Sequence, residues 1–211
     1  VSFTGSTGAG VSVSQAAAPT VKRVTLELGG KSANVILDDA DIAKAAKMAV
    51  YACFNNSGQE CSSLSRLIVP ATARDEVVEV IAATMARYSV GDPMDESIKC
   101  GPMVSARQQE SVARYIASGI AEGATLVAGG EGMPDGLDSG YYVKPTIFAD
   151  VSPEMTIFRE EIFGPVLSIT TYDSEEEAVF LANDSEYGLS GGVWSGDADR
   201  ALQFARKMRT G

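Results

Sequence analysis

Short apolar, β-branched runs alternate along this chain with stripes spaced for helices, and that alternation limits the fold more than any other feature. The runs are Val24–Leu28, Ala33–Leu37, Leu67–Val69, Thr125–Val127, Thr146–Phe148 and Val166–Tyr172, bounded by Gly, Pro or Asp. Between them, Ile42, Ala46, Ala49, Val50, Cys53 and Phe54 form one apolar stripe. Val77, Val78, Ile81, Ala82 and Met85 form a second, and Val112, Tyr115, Ile116 and Ile120 a third. Ser174 with Glu177 three residues on is a capping box for a fourth helix. A fifth opens at Asp197 and carries Ala201, Leu202, Ala205 and Met208. Strands that alternate with helices bury both faces of their sheet, so the expected class is α/β, an open, mostly parallel sheet with flanking helices.

At 211 residues the chain has room for one sizeable domain, or one domain and a fragment. The first ~30 residues read as a strand–helix–strand piece that could belong to a different domain from the rest. Val1-Ser2-Phe3-Thr4 looks like the last part of a strand, and Thr210-Gly211 follows directly on a helical pattern. Both ends therefore read as cuts through a longer protein. Gly129–Gly140, with Pro134, reads as a surface loop.

Composition narrows the chemistry. The chain contains no histidine, which excludes a Ser-His-Asp triad, a Cys-His dyad and histidine metal ligands. Its three cysteines, Cys53, Cys61 and Cys100, form no C-x-x-C, which fits a reducing, cytosolic setting better than disulfides or zinc. The formal charge of −11 argues against nucleic acid and anionic membranes as partners, since both reward Lys and Arg. No apolar run approaches the ~18 residues of a membrane span.

Four stretches carry candidate chemistry. In Phe54-Asn55-Asn56-Ser57-Gly58-Gln59-Glu60-Cys61, a helical stripe ends, Ser57-Gly58 permits a sharp turn and a cysteine follows in a polar setting. Turn N–H groups can lower a thiol's pKa and make it a nucleophile, although a small residue buried at a helix end is the plainer reading of the local sequence. In Leu26-Glu27-Leu28-Gly29-Gly30-Lys31, a carboxylate interrupts an apolar strand, and two glycines let another chain or a ligand approach the backbone. Glu27 with a raised pKa would suit a general base; an edge-strand Glu, or one salt-bridged with Lys31 as its partner, is the plainer reading. Phe3-Thr4-Gly5-Ser6-Thr7-Gly8-Ala9-Gly10 runs from a strand through a turn into the helix Val11–Ala18, which suits a phosphate but matches neither G-x-G-x-x-G nor a P-loop. In Arg159-Glu160-Glu161-Ile162-Phe163-Gly164-Pro165-Val166, a Glu beside an aromatic could hold a sugar diol and a flat ring. Arg200, Arg206, Lys207 and Arg209 read as a solvated helix face.

Taken together, these stretches resemble the aldehyde dehydrogenase superfamily along the whole of 1–211. Leu26–Ala33 is similar to the family's glutamate motif and Phe54–Arg66 to its cysteine motif. Glu161-Ile162-Phe163-Gly164-Pro165-Val166 is the family's E-I-F-G-P-V, and the separation of Glu27 from Cys61 also agrees. The resemblance implies an oxidoreductase that converts an aldehyde to a carboxylic acid with NAD or NADP. Cys61 would attack the aldehyde to give a thiohemiacetal and then a thioester, which water activated by Glu27 would hydrolyse. The Cys61 N–H would supply half of an oxyanion hole. Glu161 and Phe163 match the residues that hold the nicotinamide ribose, and Gly5 and Ser6 the turn beside the pyrophosphate. Asn34 fits the pattern without a catalytic role. Ala33, where many members have Pro, and Ser63 depart from it.

The same resemblance implies that 1–29 is the C-terminal piece of an NAD(P)-binding domain and 30–211 a truncated catalytic domain. By this reading the chain alone is an incomplete enzyme. The expected partners are a small-molecule aldehyde and, in the full-length protein, further copies in a homodimer or homotetramer; the expected location is cytoplasmic. A CoA-acylating relative, a non-catalytic domain and a thiol hydrolase are the competing readings, and Glu27 favours hydrolysis over transfer to CoA.

Overall fold

The computed structural model describes residues 1–211. Two sheets divide the chain. Strands β1 (Ser2–Thr4) and β2 (Thr25–Glu27) pair in parallel as a separate two-stranded sheet, connected by helix α1 (Thr7–Ala17). The second sheet has six strands: β3 (Ala33–Ile36), β4 (Arg66–Pro70), β5 (Thr125–Ala128), β6 (Thr146–Ala149), β7 (Val166–Tyr172) and β8 (Gly191–Trp194). Their spatial order is β5-β6-β7-β4-β3-β8, parallel throughout except for the antiparallel edge pair β5–β6. The expected open, mostly parallel α/β sheet is thus what the chain forms.

Side-chain alternation along these strands builds one core on each face, because successive residues point to opposite sides. Ile36, Leu67, Val69, Ile147, Ala149, Leu167 and Ile169 meet helices α2 (Ile42–Phe54) and α3 (Arg74–Met85). Ala33, Val35, Leu37, Ile68, Phe148 and Val166 meet α4 (Ala106–Ala121), the short helix α5 (Thr156–Arg159) and α6 (Glu175–Asn183). Helix α7 (Ala198–Ala205) follows β8 and adds Phe204 to the second core.

Some expectations need correction. Helix α1 starts at Thr7, four residues before the apolar run, because Ser6 caps it and Gly10 packs against Leu28 where a side chain would clash. Strand β8 has no counterpart among the expected runs; at Gly191 a Cβ would meet Met208, and at Gly192 it would fit only tightly beside Asn34 and Leu64. The helix opening at Asp197 stops at Ala205, short of Met208. The capping box at Ser174 is displaced by one residue: Glu177 accepts the N–H of Asp173 at 2.8 Å while Ser174 accepts that of Glu177 at 3.2 Å. The basic C-terminal set is more than a solvated face. Arg200 pairs with Asp38 and Asp39 at 2.7 Å and with Glu175 at 3.2 Å, Lys207 also reaches Glu175, and Arg209 donates to the Asn183 carbonyl.

Candidate active site

A cleft of about 630 Å³ opens between the small sheet and the large one. Cys61, Glu27, Gly5, Ser6, Glu161 and Phe163, all six residues singled out in the sequence, line it. They come from four separated segments, so their meeting is a property of the fold.

The cysteine is delivered by a strained loop. After α2, the backbone passes through three consecutive left-handed residues, Asn56 (φ 48°), Ser57 (φ 57°) and Gly58 (φ 70°). For residues with side chains this conformation costs about 1–2 kcal/mol each. Side-chain bonds offset it. The buried Ser57 Oγ donates to the Gly101 carbonyl at 3.1 Å and accepts the Gly101 N–H at 2.9 Å. Gln59 Oε1 accepts the Val104 N–H at 2.8 Å, and its Nε2 donates to the Pro102 carbonyl at 3.3 Å. On the other side Gly58 lies against the Gly164 carbonyl, where no Cβ fits. The Gly101–Val104 segment and the Gly164-Pro165 turn together clamp the loop.

Cys61 leaves this clamp half-buried at the cleft wall, and its N–H donates to no group of the chain. It is therefore not the fully buried structural thiol that local sequence allowed. Cys53 is that residue: it donates to the Val166 carbonyl at 3.5 Å, and burial pushes its thiol up to about 12. Burial also raises the Cys100 thiol.

The glycine pair behind Glu27 exists for close approach. Gly29 faces the Glu161 carboxylate and Gly30 faces the Cys61 carbonyl, both at separations that exclude a Cβ. Gly30 donates its N–H to Glu161 Oε1 at 3.1 Å. Desolvation raises the Glu161 carboxyl, opposed by this bond and by the charge of Lys31. Glu27 has the edge-strand setting of the plainer reading: it is exposed to the cleft, because β2 belongs to a two-stranded sheet with little to cover it. Lys31 is not its partner. Lys31 is 1 % exposed, its Nζ has no hydrogen-bond partner, and burial lowers the amine to about 7. Its carbonyl accepts Arg66 Nε at 2.8 Å; the same buried guanidinium donates to the Leu181 and Ala182 carbonyls, stacks on Phe158 and is lowered by burial to about 10.

Phe163 sits at φ 54° with 37 % of its surface exposed, an arrangement that presents its ring to the cleft. Gln108 of α4 holds that turn, donating to the Ile162 and Phe163 carbonyls at 3.0 and 2.9 Å. At the opposite wall, Ser6 caps α1 by accepting the Ala9 N–H at 3.3 Å, and Gly5 donates to the Glu27 carbonyl at 3.0 Å. The first-turn N–H groups of α1 have no partner within the helix, and a Cβ on Gly8 would meet nothing within 4 Å. An open helix N-terminus of this kind suits a phosphate group, and the Glu161–Phe163 wall suits a ribose and a flat ring. The residues present thus fit a dinucleotide. No group of three or more Cys, Asp or Glu side chains is arranged to hold a metal ion, and no helix is long and apolar enough to cross a membrane.

The sequence marked Ser57 only as part of a turn and gave no sign of its tie to Gly101, nor of the parts played by Gln108, Ser111, Met103 and Val104. The hydrogen bonds that tie these residues to the site span 43 to 55 positions, and no local pattern encodes them. Gln59 and Glu60 lay inside the cysteine motif but had no role assigned.

Comparison with known proteins is consistent along the whole chain. The family model described as "Aldehyde dehydrogenase family" matches residues 1–211. A Pseudomonas 3-succinoylsemialdehyde-pyridine dehydrogenase is 55% identical over 211 residues, covering 100% of this chain and 44% of the relative. Geranial dehydrogenase of Castellaniella defragrans is 50% identical with the same coverage. Among solved structures, a mutant aldehyde dehydrogenase C from Pseudomonas syringae, complexed with NAD+ and octanal, superposes with a TM-score of 0.98 at 48% identity, over 100% of this chain and 43% of its own. A Mycobacterium tuberculosis aldehyde dehydrogenase complexed with NAD+ gives 0.96 at 47% identity, over 100% and 43%. The chain therefore spans less than half the length of the relatives it matches.

Proposed function

Because this chain belongs to the aldehyde dehydrogenase family, we propose that it carries the thiol site of an enzyme that oxidises an aldehyde to a carboxylic acid with NAD or NADP. The observation that carries the proposal is the convergence of Cys61, Glu27, Glu161, Phe163, Gly5 and Ser6 on one cleft.

The Cys61 thiolate attacks the aldehyde carbon, and the oxyanion that forms accepts the unpartnered Cys61 N–H. NAD(P)+, when bound, would supply the hydride acceptor that conversion of the Cys61 thiohemiacetal to a thioester requires. Glu27, exposed to the cleft, takes a proton from the water that hydrolyses this thioester and releases the acid. Glu161 and Phe163 hold the nicotinamide ribose; Gly5, Ser6 and the α1 N-terminus hold the pyrophosphate. No Lys or Arg lines the cleft, so this chain's contribution to the pyrophosphate is made by N–H dipoles.

In the same reading, 1–29 is the end of the cofactor domain and 30–211 the catalytic domain, in keeping with the two separate sheets. The full-length protein is a cytoplasmic homodimer or homotetramer, and this chain alone does not turn over. The test is limiting iodoacetamide labelling of the full-length protein at pH 8, with adducts located by peptide mass spectrometry. Labelling falls on Cys61, leaves Cys53 and Cys100 untouched and is slowed by a saturating aldehyde. Uniform labelling, or labelling that aldehyde does not affect, refutes the assignment.

A further inference from the structure

The side chains that this chain contributes to the cleft carry a charge asymmetry. Three of them are acids, Glu27, Glu60 and Glu161, and none is basic. The two residues that α4 contributes, Gln108 and Ser111, are uncharged. Glu27 and Glu161 have roles in the reading above, but Glu60 has none. It directly precedes Cys61 and is half-buried, and its Oε1 accepts a hydrogen bond from Asn55 Nδ2 at 2.7 Å. That bond ties the carboxylate to Asn55 at the solvent-facing rim of the cleft, one residue from the nucleophile. The closest cation in the glutamate motif, Lys31, is buried and does not line the cleft.

We propose that Glu60 determines specificity, selecting against aldehydes that carry a carboxylate or phosphate near the reacting carbon and leaving neutral and cationic aldehydes as the substrate class. The proposal rests on the reading of the cleft as an aldehyde-oxidising site. Like charges about 7 Å apart at an effective dielectric of about 20 disfavour each other by roughly tenfold or more, and Glu60 needs only that proximity to a substrate anion to act. Ionic strength weakens the effect wherever the cleft is open to solvent.

The experiment measures kcat/KM of the full-length protein for butanal, succinic semialdehyde and trimethylammonio-propanal, which are of similar size and differ in charge. Wild type is expected to use succinic semialdehyde at least tenfold less well than butanal. Glu60→Gln, which keeps an acceptor for Asn55, narrows that ratio about tenfold, and Glu60→Asp leaves it near the wild-type value. Raising salt from about 50 to about 500 mM narrows the wild-type ratio and not that of Glu60→Gln; the wild-type half of this comparison needs no variant to fold. Turnover of butanal with a ratio that neither salt nor Glu60→Gln changes overturns the proposal alone. Failure to oxidise any of the three aldehydes overturns the underlying reading and the proposal together.

Discussion

Replacing Ser57 by alanine separates two contributions to the cysteine loop, its hydrogen bonds and its backbone strain. The hydroxyl is buried and serves both polar groups of Gly101, at 2.9 and 3.1 Å. Each such bond contributes about 0.5–1.5 kcal/mol net, so Ser57→Ala loses roughly 1–3 kcal/mol, with little change in strain because alanine is no easier to hold at positive φ. Ser57→Gly loses the same bonds but relieves the left-handed strain at φ 57°, a gain of about 1–2 kcal/mol partly cancelled by the greater freedom of glycine in the unfolded chain. The glycine variant should therefore be the more stable of the two by up to about 1 kcal/mol. In thermal unfolding, where 1 kcal/mol shifts Tm by about 2–4 °C at this size, Ser57→Ala falls by several degrees and Ser57→Gly by less. Iodoacetamide labelling of Cys61, run alongside, should change in rate for both variants, since the loop that aims the thiol has lost its tie to Gly101. A Ser57→Ala protein as stable as wild type, or a glycine variant less stable than the alanine one, refutes the account of the loop.

Gly30→Ala places a methyl group on the Cys61 carbonyl and pushes the nucleophile out of line, so kcat in a steady-state assay falls by about a hundredfold or more while the fold, judged by circular dichroism, persists. Gln108→Ala frees the Phe163 turn; cofactor KM rises several-fold with a smaller change in kcat. Lys31→Met tests the buried amine through pH. The folded-state pKa of about 7 lies below the ordinary value of 10.5, so between these limits the unfolded chain binds more protons and wild-type stability rises with pH. Below pH 7 the full penalty of burying the charge is present, so Lys31→Met exceeds wild type most there. The gap shrinks by about 1 kcal/mol per pH unit up to pH 9, measured as the difference in unfolding free energy; a gap that is constant with pH contradicts the assignment.

How much of this was legible in the sequence depended on whether the cause was local. Strand β7 coincides with the run Val166–Tyr172, and α2 with the stripe from Ile42 to Phe54, because a strand or helix that faces a core writes its own period. The glycines at 29 and 30 signalled close approach, and the fold supplies what approaches, the Glu161 carboxylate and the Cys61 carbonyl. The setting of Glu27 stayed open between an enclosed and an edge strand because an apolar neighbourhood in sequence does not say which sheet a strand joins. Strand β8 was hidden because Gly191 and Gly192 carry no side chains to write a strand's period, and the close approach of Met208 to Gly191 is a tertiary demand with no local sign. Gln108 reaches the Phe163 carbonyl across 55 positions, and nothing in the helical stripe of α4 marks it.

The central claim, that Cys61 becomes acylated and Glu27 directs water to the acyl group, is tested most directly by trapping. Full-length Glu27→Gln protein is mixed with aldehyde and NAD+, quenched in acid within seconds, digested and read by mass spectrometry. The account predicts an acyl adduct on the peptide containing Cys61, at close to one per site, with acid release slowed by a hundredfold or more. An adduct on any other residue, or acid released by Glu27→Gln at the wild-type rate, would contradict it.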